Sequence, residues 1–152
     1  SKFTSRAILQ MGKLIRSLNI KVVSIPEVVR DGTDEPIVLD CDYDMGLSSN
    51  TGLAIKWYIG QELLYQWIHG KPPQASDEFR KYVDASYRAS DNPDTMYRAV
   101  KLIRPGPEFS GEYRCVVFTH DDEVEAGGKM LVYCEFKTYR IDFIQNISDI
   151  TI

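Results

Sequence analysis

The 152-residue chain is poor in the residue types that build catalytic, metal and membrane-spanning sites. It has three Cys and only two His, and neither His69 nor His120 stands at a recognisable motif spacing from a Ser, Cys or carboxylate. No stretch approaches the roughly 20 apolar residues of a membrane span. The sequence therefore predicts no enzyme and no bound cofactor, and any membrane anchor is expected to lie outside this chain.

Basic clusters are also missing. Lys and Arg total 18 against 22 Asp and Glu, which gives a net charge of −4. Because binding to a phosphate backbone needs clustered Lys and Arg, no nucleic acid partner is expected. Asp40, Asp42 and Asp44 alternate along one predicted strand, and ligands in line on a flat strand do not wrap an ion. We therefore expect a solvated face there and no metal site.

The first residues carry a helical pattern that the rest of the chain lacks. Phe3, Ala7, Met11, Leu14 and Leu18 recur at helical spacing, with basic residues between them. Two interpretations stay open for residues 1–19: a membrane-surface or targeting segment, or a leader ahead of the folded domain. Either way, the folded domain is predicted to start at Ile20.

From Ile20 onward the period is two and β-branched residues are frequent, so strands are predicted. Pro26 interrupts the first strand, as suits an edge strand that switches sheets. The strands are predicted at 20–29, 37–43, 53–59, 62–68, 82–87, 95–103, 113–118 and 127–134. Arg98 falls in the core phase of its strand, which favours a bulge or an edge there. Residues 135–152 are interpreted as a linker or the start of a truncated following domain.

One spacing motif stands out. Cys41 and Cys115 are 74 residues apart, Trp57 lies sixteen residues after the first Cys, and Tyr113 lies two residues before the second. With Ser110–Cys115, this motif makes residues 20–134 resemble the variable-type immunoglobulin superfamily. The resemblance implies an all-β fold: a two-sheet antiparallel immunoglobulin-like sandwich of variable type.

The same resemblance implies a disulfide between Cys41 and Cys115, with Trp57 packed beside it and Tyr113 anchoring the turn before its strand. Cys134 is then left over, so a partner cysteine elsewhere is expected in an oxidising compartment. Asn146-Ile147-Ser148 is a glycosylation sequon, and Asn146 is predicted to carry an N-glycan.

A narrower similarity concerns Leu39–Asp44, Ile55–Tyr58 and Tyr113–Val117. These sequence segments look like those of the first domain of the beaten path family of invertebrate neuronal recognition proteins. That similarity implies a two-domain ectodomain, secreted or held on the extracellular side of the plasma membrane. Its partner would be another immunoglobulin-type cell-surface protein, with homophilic and heterophilic binding both open.

One position departs from the variable-type pattern. Such domains usually place an Asp two residues before the Gly of the Gly-x-Tyr-x-Cys motif, paired with an Arg at the start of strand D, which is predicted here at 82–87. This chain has Phe109 there. Arg80 or Lys81 could still pair with Glu108 if the bend is shifted, although such a partly exposed pair contributes only about 0–1 kcal/mol.

In immunoglobulin lettering the predicted strands 127–134, 113–118, 53–59 and 62–68 are G, F, C and C′. Their outward phase collects aromatic and apolar side chains, which suit a protein-binding face. The predicted binding residues are Lys56, Tyr58, Tyr65, Trp67, Val116 and Phe118, with Leu64 and Gln66 as alternatives to Tyr65 and Trp67. Leu131 is expected on the same side. Coverage by the domain's own loops or by a following domain is the competing interpretation. The alternative function is a secreted immune or carrier module that binds a small ligand or a microbial surface, which a closed pocket between the sheets would favour.

Overall fold

Ten strands and two short 3-10 helices make up residues 17–135, the part of the chain that the computed structural model describes. The strands are β1 (Asn19–Ser24), β2 (Val28–Arg30), β3 (Ile37–Asp44), β4 (Ala54–Ile59), β5 (Glu62–Ile68), β6 (Gln74–Ala75), β7 (Val83–Asp84), β8 (Val100–Leu102), β9 (Gly111–Phe118) and β10 (Glu123–Tyr133). The 3-10 helices span Asp77–Tyr82 and Pro107–Phe109.

The strands form two sheets with the predicted architecture. One sheet has the order β1-β3-β8-β7, and the other has the order β2-β10-β9-β4-β5-β6. In immunoglobulin lettering these are the A-B-E-D and A′-G-F-C-C′-C″ sheets, and the extra C′ and C″ strands mark the variable type. The predicted variable-type sandwich is confirmed.

The first strand switches sheets at the predicted proline. Before Pro26, β1 pairs antiparallel with β3; after it, β2 pairs parallel with β10, with Val28 opposite Leu131. Because proline donates no backbone hydrogen bond, the chain leaves one ladder and enters the other at this point. Leu18 is already buried and β1 begins at Asn19, so the sandwich starts slightly before the predicted boundary at Ile20.

The centre of the sandwich is built as the motif implies. Cys41 and Cys115 are bonded, with their Cα atoms 6.4 Å apart, and both are fully buried with Trp57. The Tyr113 hydroxyl donates a hydrogen bond to the Phe109 carbonyl oxygen. Burial raises the pKa of Tyr113, so the hydroxyl keeps its proton for this bond.

Several strand boundaries differ from the prediction. β7 and β8 are each shorter than expected, and residues 93–97 form turns ahead of β8. β10 begins at Glu123 and not at Gly127, which leaves only residues 119–122 as the connection from β9.

Arg98 explains part of this difference. Its guanidinium pairs with Asp40 at 2.9 Å and with Asp42 at 2.8 Å on β3, so it does not enter the core. Burial acts to lower the pKa of Arg98, but the hydrogen bond to Asp40 and the charges of both carboxylates outweigh it and raise the pKa. Two of the three alternating carboxylates thus hold an arginine. In residues 17–135 no group of three or more His, Cys, Asp or Glu is placed to hold a metal.

Replacing Arg98 with Gln is expected to lower the free energy of unfolding by about 1–3 kcal/mol, because two half-buried carboxylates lose their charged donor. Urea unfolding measures the change. Lys21 offers a matched control: it also pairs with Asp42, at 3.5 Å, but is largely exposed. Lys21→Gln is expected to change stability by less than about 0.5 kcal/mol. Equal effects of the two substitutions would contradict the structural role of Arg98.

Phe109 occupies the position of the usual Asp but has a different structural role. It is buried, and its ring meets those of Phe79 and Tyr82 edge-on at centroid distances of 5.9 and 4.9 Å. The alternative pair with Glu108 does not form in the described residues: Arg80 pairs with Asp77, and Lys81 lies over the Tyr82 ring. An aromatic cluster therefore stands where variable-type domains usually have a salt bridge.

Some predictions fall on parts of the chain outside the described residues. They concern residues 1–16, residues 136–152 and the sequon at Asn146. Between residues 17 and 135, no helix is long and apolar enough to cross a membrane.

Candidate protein-binding surface

The solvent-facing side of the six-stranded sheet, called the outer face below, carries its side chains in rows across the strands. One row runs from Gln66 through Lys56 and Val116 to Glu125. The next row places Tyr58 opposite Arg114. The strands are central and hydrogen-bonded on both sides, so they hold these side chains on a rigid frame.

Cations lie over the aromatic rings of the outer face. The Lys56 ammonium is 5.5 Å from the centroid of the Phe118 ring, and the Arg114 guanidinium carbon is 4.7 Å from that of Tyr58. Arg114 also pairs with Glu125 at 3.2 Å. These contacts restrict the rotamers of long side chains, and side chains that are already ordered lose less entropy when they enter an interface.

Val116 occupies the middle of this arrangement and is only 3% exposed. Its predicted accessibility is wrong, although its outward phase is right. Lys56 and Glu125 flank it in register, and such long side chains cover a short one at the centre of a sheet. Val116 supports the surface from below and offers little contact area itself.

Tyr65 and Trp67 point into the core, so their predicted place on the outer face is wrong. Trp67 lies opposite Ile55 and Tyr65 opposite Trp57, both buried positions. The Tyr65 hydroxyl donates to the Tyr97 carbonyl oxygen at 2.8 Å. Of the two alternatives, Gln66 lies on the outer face and is half-buried, whereas Leu64 is buried.

A one-residue register shift between Trp57 and Tyr58 causes this arrangement. A plain hairpin through Gly60-Gln61 would place Leu64 opposite Trp57. The bulge adds one residue to β5, and a shift by one residue exchanges the two faces of a strand.

Exposed apolar side chains continue the surface towards β2. Leu131 is 54% exposed, as its predicted outward phase requires, and Val28 beside it is 61% exposed. Tyr133 is also exposed. No signal in the sequence marks Val28, because only the parallel pairing of β2 with β10 reveals that it joins Leu131. Tyr133 was also missed, although it lies two residues after Leu131 and shares its outward phase.

Both histidines belong to a loop cluster at one end of the sandwich. The His69 Nε2 atom is 3.1 Å from the Asp94 carboxylate, which also accepts a hydrogen bond from Asn50 at 3.1 Å. The His120 backbone N–H donates to the Thr51 carbonyl oxygen at 2.8 Å. These contacts tie several connecting loops together, and no spacing motif in the sequence signals them.

Two surface clefts border β10. One, of about 560 Å³, lies against Gly60, Glu112, Arg114 and Gly127. The other, of about 450 Å³, lies between β10 and the segment from Val23 to Val28. Both lie outside the buried core between the sheets.

Comparison with known proteins shows the fold. No protein-family model and no curated protein matches the chain. Extracellular domains 3–5 of Drosophila OTK match with 16% identity and a TM-score of 0.54, over 76% of this chain and 36% of that one. The human B7-H4 IgV-like domain matches with 16% identity and a TM-score of 0.51, over 78% and 96%.

A chimeric titin Z1Z2 carrying an exogenous KLER peptide from decorin matches with 15% identity and a TM-score of 0.50, over 79% of this chain and 98% of that one. The neighbours are immunoglobulin-like domains, one of them of variable type. At these identities the similarity concerns the fold alone.

Proposed function

We propose that this chain is an extracellular recognition module that binds another cell-surface protein through the outer face of its six-stranded sheet. The observation that carries the proposal is the pairing of Lys56 with Phe118 and of Arg114 with Tyr58 on central strands. Aromatic and Arg side chains are enriched at interfaces, and those already ordered in the free protein lose little entropy on binding.

The chemistry of the core supports an extracellular location. A buried disulfide between β3 and β9 is typical of proteins that fold in an oxidising environment. Two of the structural neighbours support an extracellular location, since one is named as extracellular domains and another as an IgV-like domain. A secreted or surface-anchored ectodomain with a second domain after residue 135 and an N-glycan at Asn146 belongs to this proposal.

The partner we favour is an immunoglobulin-type cell-surface protein, as the similarity to the beaten path family implies. A small-ligand or carrier role has less support, because both clefts described above lie on the outside of the sandwich. Between the sheets, Trp57, Tyr113 and Val117 fill the space.

Replacing Tyr58 or Phe118 with Glu is expected to weaken partner binding by about 2 kcal/mol, roughly 30-fold, as at an interface anchor. A Glu at either position meets a cation that is already there, Arg114 or Lys56, so the fold is expected to persist. Biosensor binding to a panel of immunoglobulin-type ectodomains measures the loss, and thermal unfolding confirms the fold.

Val22 provides the matched control, because it is 59% exposed on the outer side of the other sheet. Val22→Glu adds the same charge away from the outer face and is expected to leave binding unchanged. If both outer-face variants bind as well as the unmodified chain with normal melting, the proposed interface is wrong.

A further inference from the structure

β10 has an edge that is only partly paired. On one side, β9 pairs with it from Glu123 to Met130. On the other side, β2 pairs with it only from Leu131 to Tyr133. Within residues 17–135, the stretch from Glu123 to Met130 therefore has no strand paired to the edge opposite β9. An unpaired strand edge of this length is a template for another chain.

The backbone groups on this edge can be identified. The Leu131 N–H donates to the Glu27 carbonyl oxygen at 2.9 Å, and the Tyr133 carbonyl oxygen accepts from Asp31 at 2.8 Å, so both residues point towards β2. Alternate residues of a strand turn their backbone groups to the same side. The residues that present N–H and C=O to the open edge are therefore Glu123, Glu125, Gly127 and Lys129.

The charges along this edge complement a second copy of the same segment. In antiparallel pairing centred on Ala126, Glu123 of each copy lies opposite Lys129 of the other. Glu123 has no ion-pair partner in the described residues, and the Lys129 side chain is 81% exposed. Pairing centred on Glu125 would instead set that carboxylate against itself, and cross-strand like charges are unfavourable.

The position of β2 and the cleft beside Gly128 also favour the register centred on Ala126. Centring on Gly127 would bring Glu123 of the second copy to Leu131, where β2 already occupies the edge. Centring on Ala126 stops short of β2 and places Val124 of the second copy opposite Gly128. At Gly128 the cleft of about 450 Å³ is lined by Val23 and Ile25, which offer apolar contact to that side chain.

We propose that two copies of this chain associate through the Glu123–Lys129 edges of β10, in a two-fold symmetric antiparallel pair. This goes beyond the proposed function, because it uses the edge of the sheet and not its outer face. Residues directly opposite in antiparallel strands project to the same side, so the pair presents both outer faces in one direction. Such a pair would engage two surface-bound partners at once and gain avidity without new contacts.

Charge reversal tests the register. Glu123→Lys and Lys129→Glu each turn two attractions into two repulsions, so each is expected to weaken association about tenfold or more. The double variant restores opposite charges and is expected to return association to near the original level. Sedimentation equilibrium of the 152-residue chain over a range of concentrations measures the change.

Glu112 supplies the control for Lys129→Glu. It pairs with Lys129 within the chain at 3.4 Å, and Glu112→Lys removes that pair without touching the open edge. This control is expected to associate normally. A monomeric unmodified chain at all concentrations, unaffected single reversals, or a double variant that stays as weak as the singles would each overturn the proposal.

The two proposals fail separately. Tyr58→Glu is expected to weaken partner binding while self-association persists. Lys129→Glu is expected to weaken self-association while partner binding persists, provided that partner binding is measured at a concentration where the chain is a monomer.

Discussion

Removing the Cys41–Cys115 disulfide is expected to lower the free energy of unfolding by about 2–5 kcal/mol. The bond closes a span of 74 residues, for which the chain-entropy relation gives about 4.4 kcal/mol at 25 °C. Domains of this size are commonly stable by only about 5–15 kcal/mol, so the loss is a large share of the total. Urea unfolding of the Cys41→Ala/Cys115→Ala variant measures it, with the unmodified chain under oxidising conditions as reference.

Cys134 offers the control within the same chain. It is exposed at the end of β10, with its sulfur 3.3 Å from an Asp31 carboxylate oxygen. That hydrogen bond raises the pKa of Cys134, which lowers the fraction of reactive thiolate. Cys134→Ala is expected to leave stability within about 0.5 kcal/mol. Peptide mapping without reductant that finds Cys41 as a free thiol, or bonded to Cys134, would contradict the assignment.

The centre of the sandwich could be predicted because its residues act through fixed spacings. Cys41, Trp57, Tyr113 and Cys115 lie on central strands, where the period of two fixes which side chains face inward. The switch of the first strand at Pro26 was predictable for a similar reason, since one missing N–H determines which ladder the chain can join.

The outer face could be predicted only in part, because its membership depends on register and coverage. Lys56, Tyr58 and Phe118 lie there as predicted. Tyr65 and Trp67 do not, because one bulged residue in β5 reverses the strand's faces, and no turn or proline in the sequence marks that bulge. Val116 has the right phase, but its neighbours' side chains cover it.

The region before β8 was mispredicted because tertiary hydrogen bonds override its strand pattern. Three buried donors take backbone carbonyl oxygens there: the Tyr43 hydroxyl bonds to Asp94, the Tyr65 hydroxyl to Tyr97, and the Trp57 indole N–H to Arg98. Carbonyl groups used in this way are oriented towards the core and not along a strand ladder. The donor and the acceptor of each of these hydrogen bonds are far apart in sequence, so local periodicity does not predict the bonds.

Phe109→Ala is expected to destabilise the domain by about 3–5 kcal/mol, the range for truncating a buried Phe. The ring is fully enclosed and meets both Phe79 and Tyr82, so the variant leaves a cavity between the bend and the 3-10 helix before β7. The hydrogen bond from Tyr113 goes to the Phe109 backbone carbonyl and survives the substitution. Phe109→Leu keeps much of the volume and serves as the control, with an expected cost below about 1.5 kcal/mol. Similar losses for the two variants in urea unfolding would contradict the aromatic cluster as the source of stability.

Phe109→Asp tests whether an Asp salt bridge can replace the aromatic cluster at the bend before β9. It installs the residue that variable-type domains usually have, but without the usual partner, because Arg80 pairs with Asp77 and Lys81 lies over Tyr82. A buried, unpaired carboxyl has its pKa raised in the folded state, so its contribution to stability is present below about pH 4 and is lost as pH rises through the folded pKa. Phe109→Asn has a similar size and does not titrate. We therefore expect the Asp variant to match the Asn variant in acid and to become progressively less stable than it towards pH 7. A constant difference between the two across that range would contradict a raised pKa at this position. An Asp variant that instead gains stability over the Asn variant as pH rises through about pH 4 would mean that Arg80 or Lys81 reaches the new carboxylate and lowers its pKa in the folded state.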